Sequence, residues 1–152
     1  MTAIDLFAGA GGMSEGFRQA GFSTVFANDM EAPAIATFAR NHPDAITAAT
    51  DIRSLDPNDL MGQLQMMPGD LDVLVGGPPC QGFSTYGQRD ETDSRNQLYL
   101  DYLRFLEAFR PKAFVIENVT GMLSMSGGKV VADIVRRLNK LGYGARVRTH
   151  WS

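Results

Sequence analysis

Short apolar runs and stretches of helical periodicity take turns along this chain. Residues 3–7 (AIDLF) predict a strand; past a glycine-rich turn, Met13, Gly16, Phe17 and Ala20 fall at i, i+3, i+4 and i+7, one face of a helix that Gly21 stops. Residues 24–27 (TVFA) predict a second strand, residues 34–40 a helix carrying Ile35 and Phe38 that ends near Pro43, and residues 45–49 a weaker third strand. Residues 71–75 (LDVLV) read as a fourth strand, which Gly76-Gly77-Pro78-Pro79 cannot continue. Tyr99, Tyr102, Leu103 and Leu106 form another helical stripe broken by Pro111. Residues 113–116 (AFVI) then predict a fifth strand ending at Glu117-Asn118. Val131, Ile134, Val135 and Leu138 restore helical spacing before Gly142, and residues 145–150 predict one more strand.

Strand–helix alternation at this rhythm implies an α/β fold, a doubly wound, mostly parallel sheet with right-handed crossovers. Such sheets bind ligands beyond the carboxyl ends of their strands. The 152 residues fit one domain spanning 1–152, and 44% hydrophobic residues supply a substantial core. There is no internal repeat or low-complexity tract. A formal charge of −3 argues against a basic nucleic-acid surface spread over the fold, so any such footprint is local or lies elsewhere. No window approaches ~18 consecutive apolar residues, the start MTAIDLFAGAGG lacks secretory features, and a single cysteine forms no internal disulfide. A reducing, cytoplasmic setting is expected, associated with the nucleoid if the source is prokaryotic; no metal site is expected.

The chemically suggestive residues fall at predicted strand ends. In the turn Phe7-Ala8-Gly9-Ala10-Gly11-Gly12 the missing Cβ atoms admit a ligand to the backbone beside a helix N-terminus. The turn departs from the dinucleotide fingerprint, because Ser14 stands where the third glycine belongs. Asp29 follows strand two, where an acid can accept from ribose hydroxyls, and Asp51 follows strand three; each by itself also reads as a solvated loop or cap residue. A lone cysteine is most often a small buried hydrophobe. Cys80, however, sits in a strand-terminating loop stiffened by prolines, which favours a nucleophile presented at the ligand edge. Glu117, ending the fifth strand, is its candidate partner across one cleft, or else an exposed helix cap.

The segments DLFAGAGG, GGPPCQGFS and FVIENV, in this order, resemble those of the DNA (cytosine-5)-methyltransferase family over nearly the whole chain. That resemblance implies a class I S-adenosylmethionine (SAM) dependent, Rossmann-like fold, incomplete at its C-terminus. Carried over by position, Phe7, Ala8, Gly9, Gly11 and Gly12 would line the SAM site, Asp29 would bind its ribose, and Met30 would pack on adenine. Asp51 and Ile52 would hold the adenine edge, with Gly77, Pro79 and Leu98 near the methionine moiety. Cys80 matches the catalytic nucleophile, and Glu117 the acid that contacts cytosine, held neutral by partial burial. The resemblance further implies double-stranded DNA as partner, a flipped cytosine, a restriction-modification setting, and a polar loop at residues 82–96 whose Ser84 and Arg95 contact DNA. Arg89 reads as solvated. The family's Gln-x-Arg-x-Arg stretch, target-recognition region and closing segment have no match; Arg146 and Arg148 imitate part of the first, but Gly144 stands in place of glutamine. A partial or split enzyme that needs a complementary C-terminal portion is therefore expected. The alternatives are a SAM-binding module with an assembly or regulatory role, an RNA cytosine-5 methyltransferase, and a nicotinamide oxidoreductase, the last leaving Cys80 and Glu117 unexplained.

Overall fold

The computed structural model describes residues 1–79, 98–123 and 128–149. They fall in two units, one of residues up to 79 together with 98–117, the other from 118 onward. The first unit is a five-stranded sheet with its helices: β1 (Thr2–Leu6), α1 (Gly12–Gln19), β2 (Ser23–Asp29), α2 (Ala32–Asn41), β3 (Ile46–Ala49), a 3-10 turn (Ile52–Ser54), α3 (Pro57–Leu64), β4 (Val73–Gly76), α4 (Leu98–Phe109) and β5 (Ala113–Ile116). Strand order is β3-β2-β1-β4-β5, every pair parallel, as the alternation predicts. β1 and β4 are central and buried on both faces, with Ala3, Ile4, Leu6, Leu74 and Val75 fully buried.

The order places a topological switch point between β1 and β4, from which the chain winds outward in opposite directions. The carboxyl ends beside such a switch point are the usual ligand site of these sheets. Register aligns those ends: Leu6 pairs with Asn28 on one side and Gly76 on the other, Gly76 pairs with Ile116, and Asp29 pairs with Ala49. The glycine turn, Asp29, Gly77 and Glu117 therefore leave the sheet along one edge. Tyr102 of α4, fully buried, brings its hydroxyl 2.8 Å from the Leu74 carbonyl and 3.2 Å from that of Val115, bracing β4 against β5. Its ring lies so close to Gly76 that a Cβ there would meet ring carbons at 3.0 Å and the Leu6 carbonyl at 2.7 Å. Only glycine fits.

Three elements differ from the sequence expectation. Ala20, placed on the α1 stripe, is the exposed C-cap, whereas Met13 and Phe17 pack on Ala3, Val73 and Val75 as expected. α3 was not foreseen: it starts on Asp56, whose carboxylate accepts from the backbone N–H groups of Asn58 and Asp59, with Pro57 in the first turn and only Leu60 and Met61 as buried large apolar residues. The strand expected at residues 145–150 is not formed at the described residues up to 149. A strand exists only through pairing, and the sheet of described residues ends at β5. The second unit holds a 3-10 turn (Thr120–Leu123) and α5 (Lys129–Lys140), which begins after Gly128 at φ 82°.

Candidate functional site

The turn after β1 is a backbone cradle. Phe7, Gly9 and Gly11 have φ of 59°, 55° and 97°, the left-handed conformation that glycine adopts freely and phenylalanine rarely. The fold holds it there: Ala8 N–H donates to the Asn28 carbonyl at 2.9 Å, Gly11 N–H to the Ala8 carbonyl at 3.0 Å, and Gly9 N–H to Asp29 Oδ2 at 2.9 Å. Asp29 Oδ1 accepts from Glu31 N–H at 2.9 Å, so Asp29 shapes the turn, and each of its oxygens keeps a lone pair for a further donor. Beneath Gly11 lie Phe38 and the buried His42, their rings tilted at 38° with centroids 4.5 Å apart; a Cβ on Gly11 would stand 2.9 Å from His42 Nε2 and from Phe38 Cδ2. Gly12, exposed, opens α1.

Ser14 acquires a reason. Its hydroxyl donates to Asp5 Oδ2 at 2.7 Å and receives a hydrogen bond from Thr24 at 3.1 Å. Glycine, the fingerprint residue, would leave the fully buried Asp5 without that donor. Even so, Asp5 Oδ1 has no partner among the described residues, and burial raises the Asp5 pKa to about 6, against the lowering effect of Ser14 and with a further push from Asp29. The sequence reading passed over Asp5, since one acid inside AIDLF looks like a break in an apolar strand.

At the end of β3, Asp51 caps the 3-10 turn by accepting from Arg53 N–H at 2.9 Å. The Arg53 side chain pairs with the same carboxylate and, by hydrogen bonding, holds its pKa down to about 2. Ile52 is buried at 3% exposure, which leaves its side chain in the core, while Met30 is 65% exposed. Asn28, buried, donates to the carbonyls of Ala48 and Thr50 and fixes this end of β3 beside β2.

Across the switch point Gly77 N–H approaches the Leu6 carbonyl at 3.3 Å, and Glu117 N–H donates to the Gly76 carbonyl at 2.9 Å. A Cβ on Gly77 would stand 3.2 Å from Glu117 Oε2: the carboxylate lies over Gly77, three residues before Cys80 in the chain. The partial burial expected for Glu117 is not found. Its side chain projects past the end of β5 and is exposed. Pro79 is half-buried, and Leu98, buried at 7% exposure, opens α4. Cys80, Ser84 and Arg95 lie outside the described residues.

These residues suit a nucleoside-bearing cofactor: a glycine cradle at a helix N-terminus, carboxylates at the ends of two neighbouring strands, and an exposed thioether at Met30. A family model described as C-5 cytosine-specific DNA methylase matches residues 1–150. Among relatives, the type II methyltransferase M.AgeI of Thalassovita gelatinovora is 60% identical over 98% of this chain and 35% of its own length. M.DdeI of Desulfomicrobium norvegicum is 44% identical over 94% of this chain and 34% of its own. The crystal structure of a candidate DNA modification methyltransferase encoded within an E. coli prophage superposes with a TM-score of 0.79 at 34% identity, covering 92% of this chain and 38% of that one. The chain thus spans about a third of the length of the curated relatives it matches.

Proposed function

The chain belongs to the C-5 cytosine-specific DNA methylase family, and from that premise we propose that it carries the cofactor-binding and nucleophile-bearing part of an enzyme that methylates C5 of cytosine in DNA. The observation that carries the reading is the Glu117 carboxylate lying over Gly77, at the aligned ends of adjacent strands and just ahead of Cys80. Bound SAM would supply an electrophilic methyl group. The turn at Phe7–Gly12 would cradle it by backbone, Asp29 would accept from its ribose hydroxyls, and Asp51 with the Ile52 backbone would meet its adenine edge beneath Met30. Gly77, Pro79 and Leu98 would border its methionine end.

Cytosine C5 is too weak a nucleophile to take a methyl group unaided. The Cys80 thiolate adds to C6, forming an S–C6 bond and making C5 enamine-like, while Glu117 hydrogen-bonds or protonates N3 and spreads the developing charge. After methyl transfer, a base removes the C5 proton, the S–C6 bond breaks, and the thiolate returns. The cytosine must leave the duplex to reach this edge. Ser84 and Arg95 would contact DNA from the loop that follows Cys80. This reading sets the protein in the cytoplasm at DNA, within a restriction-modification pair.

Because the chain spans a third of its relatives, the remaining two thirds are proposed to supply the DNA-reading surface as a complementary C-terminal portion. Supplied with that portion, the chain should incorporate tritiated methyl groups from SAM into DNA, and little without it. The decisive test is DNA bearing 5-fluorocytosine, which cannot lose a proton from C5 and traps the adduct. Cys80→Ser should abolish the trapped species; an adduct that persists in the serine variant sinks the assignment of Cys80.

A further inference from the structure

α4 touches both sides of the carboxyl edge. Tyr102 braces β4 and β5, and two residues on, Arg104 reaches the opposite side of the switch point. Its guanidinium donates to the Leu55 carbonyl at 2.8 Å and to the Ile52 carbonyl at 3.0 Å, the two ends of the 3-10 turn that Asp51 caps. It is itself held by Asp101 at 3.3 Å and lies 5.3 Å above the Phe105 ring, half-buried. The turn closes on itself through Ser54 N–H to the Asp51 carbonyl at 3.0 Å and Leu55 N–H to the Ile52 carbonyl at 3.1 Å, bonds that set its local shape without tying it to α4. The planar fork of one arginine supplies that tie from two separate nitrogens, whereas a lysine would have to meet both carbonyls from a single nitrogen with no fixed fork.

The geometry points to Arg104 as a positioning residue that sets adenine selectivity: by clamping the Ile52 and Leu55 carbonyls it holds Asp51 and the Ile52 backbone where they read the edge of the cofactor's purine. This rests on the proposed SAM-dependent reading of the site. Asp51, charged and acceptor-only, suits the 6-amino group of adenine and opposes the 6-oxo group of hypoxanthine. A clamped turn keeps that distinction; a loosened one lets the carboxylate shift away from the oxo group.

The test compares S-adenosylhomocysteine with S-inosylhomocysteine by calorimetry, using the full chain supplied with its complementary portion. The unaltered protein should prefer the adenine compound by roughly tenfold or more, the scale set by an unpaired polar group in a built site. Arg104→Ala should weaken S-adenosylhomocysteine by roughly tenfold and bring the preference below about threefold, and Arg104→Lys should fall between. Asp72→Ala, which removes the contacts with Thr2 N–H and Lys112 at the opposite end of β4, serves as the stability control and should leave the preference intact. Should Arg104→Ala fail to fold, the Lys variant carries the measurement. A folded Arg104 variant that keeps the full preference overturns the inference alone, as does an unaltered protein that binds both compounds equally. An unaltered protein that binds neither compound overturns the reading of the site on which the inference rests.

Discussion

Where β1, β2 and β3 end, each polar group that would meet a ligand is already held: Gly9 by Asp29, Ala8 by Asn28, Asp51 by its own turn, and that turn by Arg104. Where β4 and β5 end, the chemistry stands in the open. Glu117 is exposed beside Gly77, and Val115, one residue before the end of β5, is 40% exposed. The two halves of one edge differ because they would receive different things. A cofactor presents the same surface at every turnover, and a site prepared for it avoids the cost of ordering. A base turned out of a duplex brings its own enclosure, so the residue that meets it gains its working environment only when the nucleic acid is in place.

The largest effect that would sharpen this contrast comes from the open half. Glu117→Gln should lower turnover by roughly 10²-fold or more, the scale of general-acid and charge-stabilising effects, with SAM affinity nearly unchanged. Equal losses in both would join Glu117 to the prepared half and dissolve the distinction. Next is Asp29→Ala, which removes the partner of Gly9 N–H as well as the proposed acceptor for ribose. SAM binding measured by calorimetry should weaken by about 1.5–3 kcal/mol, while turnover at saturating SAM stays close to that of the unaltered enzyme. Unchanged affinity would mean that the turn holds itself and that Asp29 has only a loop role.

Much of this was legible in advance, for identifiable reasons. Strands β1 and β4 announce themselves as apolar runs leading into glycine-rich turns and β5 as an apolar run that follows Pro111 and stops at Glu117-Asn118, and strand–helix alternation dictates the parallel order that puts Glu117 beside the segment leading to Cys80. The glycine turn and Asp29 were found by spacing. The residues that stiffen the site were not. Asp5 and Ser14 form a buried pair nine positions apart, Arg104 acts on carbonyls some fifty positions away, and His42 fills the space under Gly11 from a different helix. No periodicity encodes such contacts, because they depend on which elements the fold brings together. α3 escaped because its signal lies in a cap and a proline more than in an apolar stripe. Glu117 was expected to be partly buried because its proposed role favours a neutral carboxyl, yet position at a strand end does not fix exposure.

The smallest effect lies under the prepared half and tests whether its rigidity carries an electrostatic cost. Asp5 is fully buried, and its pKa of about 6 lies above the ordinary 3.8 because burial disfavours the charged form. Between those values the folded chain binds a proton that the unfolded chain has released, so stability from this group is complete below the lower value and is lost as pH rises through the upper one. The shift corresponds to a ceiling of about 3 kcal/mol between pH 4 and pH 7. Asp5→Asn removes the titration and keeps an acceptor for the Ser14 hydroxyl, but it places an N–H where Asp5 Oδ1 has no partner among the described residues, which costs about 1–2 kcal/mol. The variant should therefore be the less stable protein at pH 4.5 and the more stable one at pH 7.5, by about 1 kcal/mol in each direction. Urea unfolding of both proteins at the two pH values measures this directly, and the difference between them cancels carboxylates such as Asp51 whose lowered pKa values act at lower pH. Parallel stability curves for the two proteins across that window would show that Asp5 stays ionised in the folded chain, and that the floor of the cofactor half is wetter than its burial implies.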